Sequence, residues 1–423
     1  MRSLAAFLLS LTLPMALTAG DNWPAYRGAN GDGISTAKNI PTTWTETENL
    51  LWKVPVHGKG WSSPVVWGEQ VWLTTATVDG KAFYAMAFDK KSGKTIHDLK
   101  VFTAESPTNI SQYNSYASPT PVIEEGRIYV HFGSFGTACL DTATGKEIWR
   151  KTDLPCDHFR GPASSPMIHG DKLFLNFDGY DKQYTVALKK SNGDIVWRKD
   201  HNLPYPDNGD LKKAFATPSV FEIGGKLQVV APAAMGTIAY DAANGDEIWR
   251  VIHGGMNEAC RPVLAHGLIY LTTGHTSNLI AVKAGRTGDL TKDGIAWRAD
   301  KVGPTRPSPL VLGDELYMVN DTGIMFCLDA KTGAKHWQER LDGKFSASPL
   351  YADGNIISMA ENGKVFVVKA DKTYTAVATN RLDLTPAMSD GLKVDPRCMA
   401  SPVAVNGMLF LRNHTHLYCI GKK

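Results

Sequence analysis

Arginine and aromatic residues stand shortly before a series of regularly spaced prolines in this 423-residue chain. A guanidinium group presents a planar fork of N–H donors that suits carboxylates and phosphates, and aromatic rings offer flat faces for stacking. If the fold brings these positions together, we expect a site for a small acidic ligand. The candidate ligand-binding residues are Trp61, Tyr116, His158, Arg160, Phe215, Asn257, Glu258, Arg261, Arg306, Ser346, Asp395 and Arg397.

Other chemistries find little support in the sequence. Gly28, Gly31 and Gly33 have the wrong spacing for a dinucleotide fingerprint, so we interpret them as a loop. His414 and His416 lie two residues apart, but two imidazoles without a third ligand do not predict a metal site. Motifs of nucleotide-binding loops, zinc proteases and serine hydrolases are absent from the sequence. We therefore predict no catalytic residue and no metal ligand.

One sequence pattern recurs along the chain and predicts the elements that position these residues. It reads small residue, x, Asp, two residues, Thr or Asn, Gly, three residues, Trp. The residues before Asp alternate as in a strand, and Asp followed by Gly is typical of a tight turn. The Trp then begins the next strand and can pack between neighbouring repeats. The copies span residues 139–149, 187–197, 239–249 and 327–337, with His97 in place of Trp at 87–97 and an insertion before Trp297.

A second pattern places a proline after Ser, Thr or another small residue. Eight such prolines between Pro64 and Pro402 give a mean spacing of about 48 residues. This period fits four short strands per unit, which is the size of a propeller blade. The sequence therefore predicts an all-β, eight-bladed β-propeller; a linear β-solenoid is the alternative.

The tryptophans also predict how the ring closes. The copy that ends near Cys419 has no Trp after it, whereas Trp52 precedes the first copy. We therefore expect an N-terminal strand around Trp52 to complete the last blade, which leaves no free sheet edge. The expected organisation is a signal peptide at 1–20, an extended arm at 21–48 lying on the ring, and the propeller at 49–423. The expected Trp-docking residues are Trp52, Trp149, Trp197, Trp249, Trp297 and Trp337.

Charge and the N-terminal residues bear on partners and compartment. The 45 Lys and Arg and 42 Asp and Glu give a net charge of +3, which does not favour nucleic-acid binding. Arg2, the apolar run to Leu17 and the small residues after it are typical of a secretory signal peptide. We expect a periplasmic or secreted, non-membrane-spanning monomer without a lipid-anchor cysteine. Cys139, Cys327 and Cys419 occupy repeat positions where other copies carry Ala, so we expect buried, small apolar roles for them.

The Trp repeat resembles that of the pyrroloquinoline-quinone (PQQ)-like β-propeller family. Further resemblance to an exported bacterial group of this family comes from Trp23-Pro24-x-x-Arg27-Gly28, Phe215-Ala-Thr-Pro218, Arg306-Pro-Ser-Pro309, Ser346-Ala-Ser-Pro349 and Leu417-Tyr418. The family includes alcohol and sugar dehydrogenases that use PQQ and calcium, and a cofactor-free propeller of outer-membrane protein assembly. The chain lacks the adjacent cysteines that the alcohol dehydrogenases of this family carry under the cofactor.

These observations lead to one functional hypothesis and its alternatives. We expect the chain to bind a small acidic ligand or a protein partner at the channel mouth without catalysis, because no catalytic Asp or calcium ligand matches the dehydrogenase pattern. The alternatives that the resemblance implies are a PQQ- and calcium-dependent dehydrogenase of alcohols or sugars and a periplasmic scaffold. An accessory protein that binds acidic glycans is a further alternative.

Overall fold

Each copy of the Trp repeat contributes two outer strands to a four-stranded antiparallel sheet. The computed structural model describes residues 22–422, so the expected signal peptide at 1–20 lies outside the described residues. Eight such sheets form the blades of a β-propeller, which confirms the predicted fold class. In blades 1 to 7 the chain runs from the first to the fourth strand in sequence order. The first strands of neighbouring blades contact one another, which places them at the centre of the ring.

The blades share one layout, with a short buried first strand and a largely exposed last strand. Blades 1 to 4 contain β2 (Val65–Trp67), β3 (Gln70–Ala76), β4 (Ala82–Asp89), β5 (Thr95–Thr103); β6 (Val122–Glu124), β7 (Arg127–His131), β8 (Thr137–Asp141), β9 (Glu147–Lys151); β10 (Met167–His169), β11 (Lys172–Asp178), β12 (Gln183–Lys189), β13 (Ile195–Asp200); and β14 (Ser219–Ile223), β15 (Lys226–Ala233), β16 (Gly236–Asp241), β17 (Glu247–Ile252).

The second half of the ring repeats this layout with two additions. Blades 5 to 8 contain β18 (Val263–Ala265), β19 (Leu268–Thr272), β20 (Leu279–Lys283), β22 (Ile295–Ala299); β23 (Leu310–Leu312), β24 (Glu315–Val319), β25 (Ile324–Asp329), β26 (Lys335–Arg340); β27 (Leu350–Ala352), β28 (Asn355–Met359), β29 (Lys364–Lys369), β30 (Ala376–Arg381); and β33 (Val403–Val405), β34 (Met408–Arg412), β35 (His416–Ile420), β1 (Leu50–Pro55). The additions are β21 (Gly288–Asp289), which extends blade 4, and a hairpin of β31 (Ala387–Ser389) and β32 (Leu392–Val394).

The ring closes through β1, as the sequence predicted. This strand pairs antiparallel with β35, and Trp52 lies opposite Cys419. The Trp52 indole N–H donates a 3.0 Å hydrogen bond to the carbonyl of Lys90 in the outer turn of blade 1. The strand from the N-terminal end of the propeller thus completes blade 8, and its Trp52 side chain bonds blade 8 to blade 1.

Most repeat tryptophans make the same bond to the next blade. The indole N–H of Trp149 donates to the carbonyl of Lys190 at 2.8 Å, and the glycine of that turn, Gly193, has positive φ and packs against the Trp149 ring. The same N–H-to-turn bond is made by Trp197, Trp297 and Trp337. Trp249 differs because it donates to Gln228 in its own blade, at the edge that β21 extends.

The turn residues of the repeat explain why Asp, Thr and Gly recur together. The Asp141 carboxylate accepts hydrogen bonds from the backbone N–H groups of Ala143 and Thr144, at 3.1 and 2.7 Å. Gly145 then adopts a φ of 71°, which a residue without Cβ reaches without strain.

The cysteines and the helical content complete the description. All six cysteines are buried and unpaired, including the three at repeat positions, Cys139, Cys327 and Cys419. The helical content of residues 22–422 consists of two short 3-10 turns, Gly209–Leu211 and Gly274–Thr276. Within that range no helix has the length and apolar character needed to cross a membrane.

Candidate functional site

A ring of hydrogen bonds joins the blades at the waist of the central channel. In each blade one residue stands immediately before the proline of the second sequence pattern. In seven of the eight blades its backbone N–H donates to the hydroxyl at the same position in the next blade. Seven such bonds of 2.8–2.9 Å join Ser63 to Thr120, Thr120 to Ser165, Ser165 to Thr217, Arg261 to Ser308, Ser308 to Ser348, Ser348 to Ser401 and Ser401 to Ser63. We call this set the hydroxyl ring. It lacks its eighth bond because Arg261 replaces the hydroxyl residue in blade 5.

The arm that precedes β1 passes across the channel beneath the hydroxyl ring. Trp23 pairs with Val66 on the inner strand of blade 1, and Ile34 pairs with Tyr351 on the inner strand of blade 7. Between them, the Tyr26 hydroxyl lies 2.9 Å from the Ser348 hydroxyl of the ring. The arm also accepts a 2.8 Å hydrogen bond from the backbone N–H of Ile123 in blade 2, at the Pro24 carbonyl, and donates one from Arg27 to the carbonyl of Pro309 in blade 6. Blades 2 and 6 face each other across the ring, so the arm closes the channel at this level.

Arginine side chains pack against the glycines of the arm. A Cβ on Gly31 would lie 2.0 Å from the Arg261 guanidinium carbon, and one on Gly33 would lie 2.7 Å from a nitrogen of Arg27. Arg27 donates hydrogen bonds to backbone carbonyls of the arm and of blades 6 and 7, including a 2.7 Å bond to Pro309. The glycine-rich segment is thus a loop, and its glycines make room for two guanidinium groups.

Above the hydroxyl ring lies a cavity of about 740 Å³, which we call the mouth cavity. Tyr26 and five ring residues line its base. Its remaining lining comes from loops between the blades and includes Trp61, Tyr113, Asn114, Arg160, Asp210, Phe215, Met256, Asn257, His275, Thr305, Arg306, Asp321, Lys344, Ser346, Glu361 and Met399. A volume of this size is typical of a small-molecule site.

The lining divides into an apolar and a charged wall. Aromatic and methionine side chains come mainly from blades 1 to 5, whereas the charged groups concentrate in blades 6 to 8. On the charged wall, Arg306 contacts Asp321 at 2.7 Å and Glu361 at 3.2 Å, and Arg397 contacts Glu361 at 3.3 Å and Asp395 at 2.6 Å. The Glu361 carboxylate therefore holds two guanidinium groups in place, and both keep their Nη2 atoms free of hydrogen bonds to residues 22–422.

Three buried arginines add positive charge around the channel. Arg27, Arg261 and Arg412 are each 2% exposed and donate to carbonyl and hydroxyl oxygens, with no carboxylate partner among the described residues. Burial lowers the pKa of Arg261 to about 10 and of Arg412 to about 9, so both remain protonated at neutral pH. Charges buried without a counterion create a strong local potential because the surrounding protein screens them weakly. These three arginines therefore add positive charge next to a cavity whose own lining balances Arg160, Arg306 and Lys344 against Asp210, Asp321 and Glu361.

The structure brings about half of the sequence-predicted residues to the mouth cavity. Trp61, Arg160, Phe215, Asn257, Arg306 and Ser346 line it. Arg397 and Asp395 stand behind its charged wall, and Arg261 lies below it against Tyr26.

The other three predicted residues are buried elsewhere. Tyr116 packs on Phe83, and its hydroxyl donates to the carbonyl of Thr108. His158 lies behind the cavity wall, where its Nε2 accepts from the backbone N–H of Ser134. Glu258 is 1% exposed and accepts from the Thr272 hydroxyl, and burial raises its pKa well above the usual range.

Several lining residues were not predicted from the sequence. Asp321 and Glu361 lie in the turns between the second and third strands of blades 6 and 7, each 12 residues after a proline of the second pattern. Lys344 lies in the connection from blade 6 to blade 7, five residues before Pro349. Tyr26 comes from the arm, within the Trp23-to-Gly28 segment that carried part of the resemblance. This resemblance was the one feature of the sequence that could have indicated a role for Tyr26 at the site.

The cavity does not fit a calcium ion beside an organic cofactor. Calcium takes six to eight oxygen ligands, mostly from carboxylates and carbonyls. Asp321 and Glu361 are paired with arginines, and Asp210 is paired with Lys213. The Oδ1 of Asn257 and the Oε2 of Glu258 are buried without partners, but Glu258 does not line the cavity, and burial raises its pKa well above the usual range. Within residues 22–422, no three His, Cys, Asp or Glu side chains are grouped as metal ligands would be.

Comparisons with known proteins agree with this architecture. The family model described as "Outer membrane protein assembly factor BamB" matches residues 45–288 and 286–385. Tetrathionate hydrolase of Acidithiobacillus ferrooxidans is 23% identical over 74% of this chain and 65% of its own length. Quinoprotein ethanol dehydrogenase of Pseudomonas aeruginosa is 29% identical over 44% of this chain and 27% of its own length. The matches thus span less than two thirds of these relatives' lengths.

Solved structures show the same fold at low sequence identity. A europium-containing methanol dehydrogenase matches with a TM-score of 0.71 and 11% identity, over 95% of this chain and 98% of that one. BamB from Moraxella catarrhalis matches with a TM-score of 0.60 and 12% identity, over 88% of this chain and 99% of that one. With the family model matching most of the chain, the repeat and the eight blades have one explanation: the chain belongs to the PQQ-like repeat β-propeller family of the outer membrane protein assembly factor BamB.

Proposed function

We propose that this protein is an exported propeller that binds a small acidic organic ligand in the mouth cavity without transforming it. The observation that carries the proposal is the excess of positive charge around the channel. Arg27, Arg261 and Arg412 are buried without carboxylate partners in the described part of the chain. Such charge attracts an anion into the cavity and stabilises it there.

Free donors on the charged wall give the acidic group a place to bind. Lys344 lines the cavity, and its ammonium group forms no ion pair with residues 22–422. The Nη2 atom of Arg306, which also lines the cavity, is likewise free, and Asp321 and Glu361 already fix the plane of its guanidinium group. Because the Arg306 guanidinium is held in position before binding, it loses little conformational entropy when a carboxylate or phosphate arrives.

The opposite wall suits a planar or apolar ligand body. Phe215 offers a ring face and Met256 offers adaptable apolar surface. One face of the Tyr113 ring, by contrast, is covered by the Arg397 guanidinium, 4.9 Å from the ring centre. A ligand of this kind would place its acidic group against blades 6 to 8 and its body against blades 2 to 4.

Calorimetric titration of the purified protein tests this proposal. The probes are PQQ with and without calcium, and benzene-1,3,5-tricarboxylate as a smaller planar acid. We expect calcium-independent binding that weakens with ionic strength, because charge attraction is screened by salt. Lys344→Gln removes a charged donor, so we expect it to weaken binding about tenfold or more. Lys146→Gln changes an exposed lysine of an outer turn and serves as the control. Equal affinity of the two variants would contradict the proposed site.

A dehydrogenase of alcohols or sugars is the second candidate function. It is favoured by the likeness to a methanol dehydrogenase over 95% of this chain and by the size of the cavity. The paired carboxylates of the cavity argue against it. Calcium-dependent PQQ binding, followed by reduction of an electron-accepting dye in the presence of an alcohol or a sugar, would replace our proposal with this one.

A scaffold that binds a protein partner is the third candidate. It is favoured by the match to the assembly-factor family and by the bonding of Arg27, Arg261 and Arg412 to blade backbone, which gives these side chains a structural role. If no acidic probe binds, including oligosaccharides that carry carboxylates, the scaffold becomes the better hypothesis.

A further inference from the structure

A second, much smaller void lies behind the apolar wall of the mouth cavity. Its volume is about 10 Å³, which is close to the space that one water molecule needs. Phe215 and Ala163 line both this void and the mouth cavity, so they form the partition between the two. The remaining lining residues are His131, His158, Pro162, Ser164, Asn176, Asp178 and Ala214.

Polar atoms at this void have no partner in the protein. The Oδ1 of Asn176 accepts a 2.8 Å hydrogen bond from the Thr185 hydroxyl, which fixes the orientation of the amide. Its Nδ2 is buried and makes no hydrogen bond, although Asn176 is only 1% exposed. The hydroxyl of Ser164 is also buried without a partner. Buried polar groups in folded proteins are almost always hydrogen-bonded, to protein or to ordered water, so these two atoms indicate a missing partner.

The other groups around the void define what that partner must be. His158 Nε2 accepts from the Ser134 N–H, and burial lowers the pKa of His131 to about 3, so both rings are neutral. The Asp178 carboxylate lies 2.9 Å from Nδ1 of His201 and is 4% exposed. A group that accepts a hydrogen bond from the Asn176 amide and donates one to Ser164 or Asp178 satisfies this environment. Water and an alcohol hydroxyl have both capacities, whereas a carboxylate cannot donate.

We propose that this void is a polar subsite of the mouth cavity, closed by the Phe215 ring, that takes one group of hydroxyl size. In the free protein that group is a water molecule. In the complex it is a hydroxyl on the body of the ligand, which enters when the Phe215 ring turns aside. The second statement rests on the proposed function; the first stands without it.

Crystal structures of the ligand-free protein test both statements. In the wild type we expect an ordered water within 3.2 Å of Asn176 Nδ2 and Ser164 Oγ. In Phe215→Ala crystals soaked in methanol, we expect the methanol oxygen at the water position and its methyl group where the ring had been. Phe215→Leu serves if the alanine variant does not fold. A void without density, or methanol only elsewhere in the cavity, would overturn the proposal. The ligand-free crystals and the methanol soak contain no acidic ligand. Failure of these experiments is therefore distinguishable from failure of the proposed function.

Thermal unfolding gives an independent test of the water. Ser164→Ala removes one of its partners, whereas Ser358→Ala removes another buried hydroxyl that has no hydrogen bond and lines neither cavity. We expect Ser164→Ala to lower the melting temperature relative to Ser358→Ala. Equal melting temperatures would count against a bound water.

Discussion

Removing one hydroxyl of the ring at the channel waist should destabilise the whole propeller measurably. The Ser308 hydroxyl accepts a 2.9 Å hydrogen bond from the backbone N–H of Arg261, and both residues are almost fully buried. In Ser308→Ala the side chain keeps nearly its shape, but this N–H loses its acceptor. An unsatisfied buried donor costs about 1–3 kcal/mol, and we take about 2 kcal/mol for this site. Because unfolding entropy scales with chain length, that loss corresponds to a melting temperature about 2 °C lower.

The matched control is again Ser358→Ala, since the Ser358 hydroxyl is buried without a partner. Its removal should leave stability unchanged or slightly higher, because no hydrogen bond is lost. Denaturant unfolding, followed by the fluorescence of the 11 tryptophans, would compare the two variants. Both should show the same dependence of the unfolding free energy on denaturant concentration, so their midpoints can be compared directly. If Ser308→Ala unfolds at the same denaturant concentration as the control, the ring does not contribute to stability and our reasoning is wrong.

Two further predictions concern the turns and acid stability. Gly193→Ala places a Cβ 2.8 Å from the Trp149 ring, whereas Gly170→Ala meets nothing within 4 Å at a similar positive φ. Both substitutions strain the backbone, so the additional decrease in unfolding free energy of Gly193→Ala measures the docking contact alone. We expect this additional decrease to be about 1–2 kcal/mol by denaturant unfolding. Equal decreases in the two variants would show that the contact is not tight. Burial lowers the pKa of His131 to about 3 and of His158 to about 4, below the usual 6.5, so protons bind the unfolded chain more readily. Stability should therefore fall as pH decreases below 6.5, by roughly 2 kcal/mol per histidine at pH 5. His131→Gln should show a smaller loss between pH 7 and pH 5 than the wild type, and parallel curves would refute this assignment.

The fold could be predicted because its determinants are local in the sequence. The Asp141 turn, its glycine and Trp149 lie within 11 residues, and the same spacing recurs in most blades. Closure could be predicted for the same reason, since Trp52 supplies the one docking residue that the last copy lacks. The departure of Trp249 was not predictable, because it depends on the insertion that forms β21 and pairs beside it.

The site was less predictable because distance from a proline does not fix the direction of a side chain. Arg160 faces the cavity, whereas His158 lies behind the wall, and Phe159 between them has a φ of 55°. A left-handed residue reverses the alternation that a strand would impose, and nothing in the residue types announces it. The burial of His158 behind the wall follows from this cause.

The arm closes one end of the channel that the eight blades surround. An unplugged ring of eight blades would leave the inner strand edges and the Arg261 guanidinium facing water in the channel. The arm instead supplies the Tyr26 carbonyl to Arg261 and inserts Arg27 between blades 6 and 7. Two like charges are thereby buried together, an arrangement that costs stability and that a purely structural plug could avoid with apolar residues. Two cations directly below the mouth cavity favour an anion above them, which is the reason for testing the proposed acidic ligand before a protein partner.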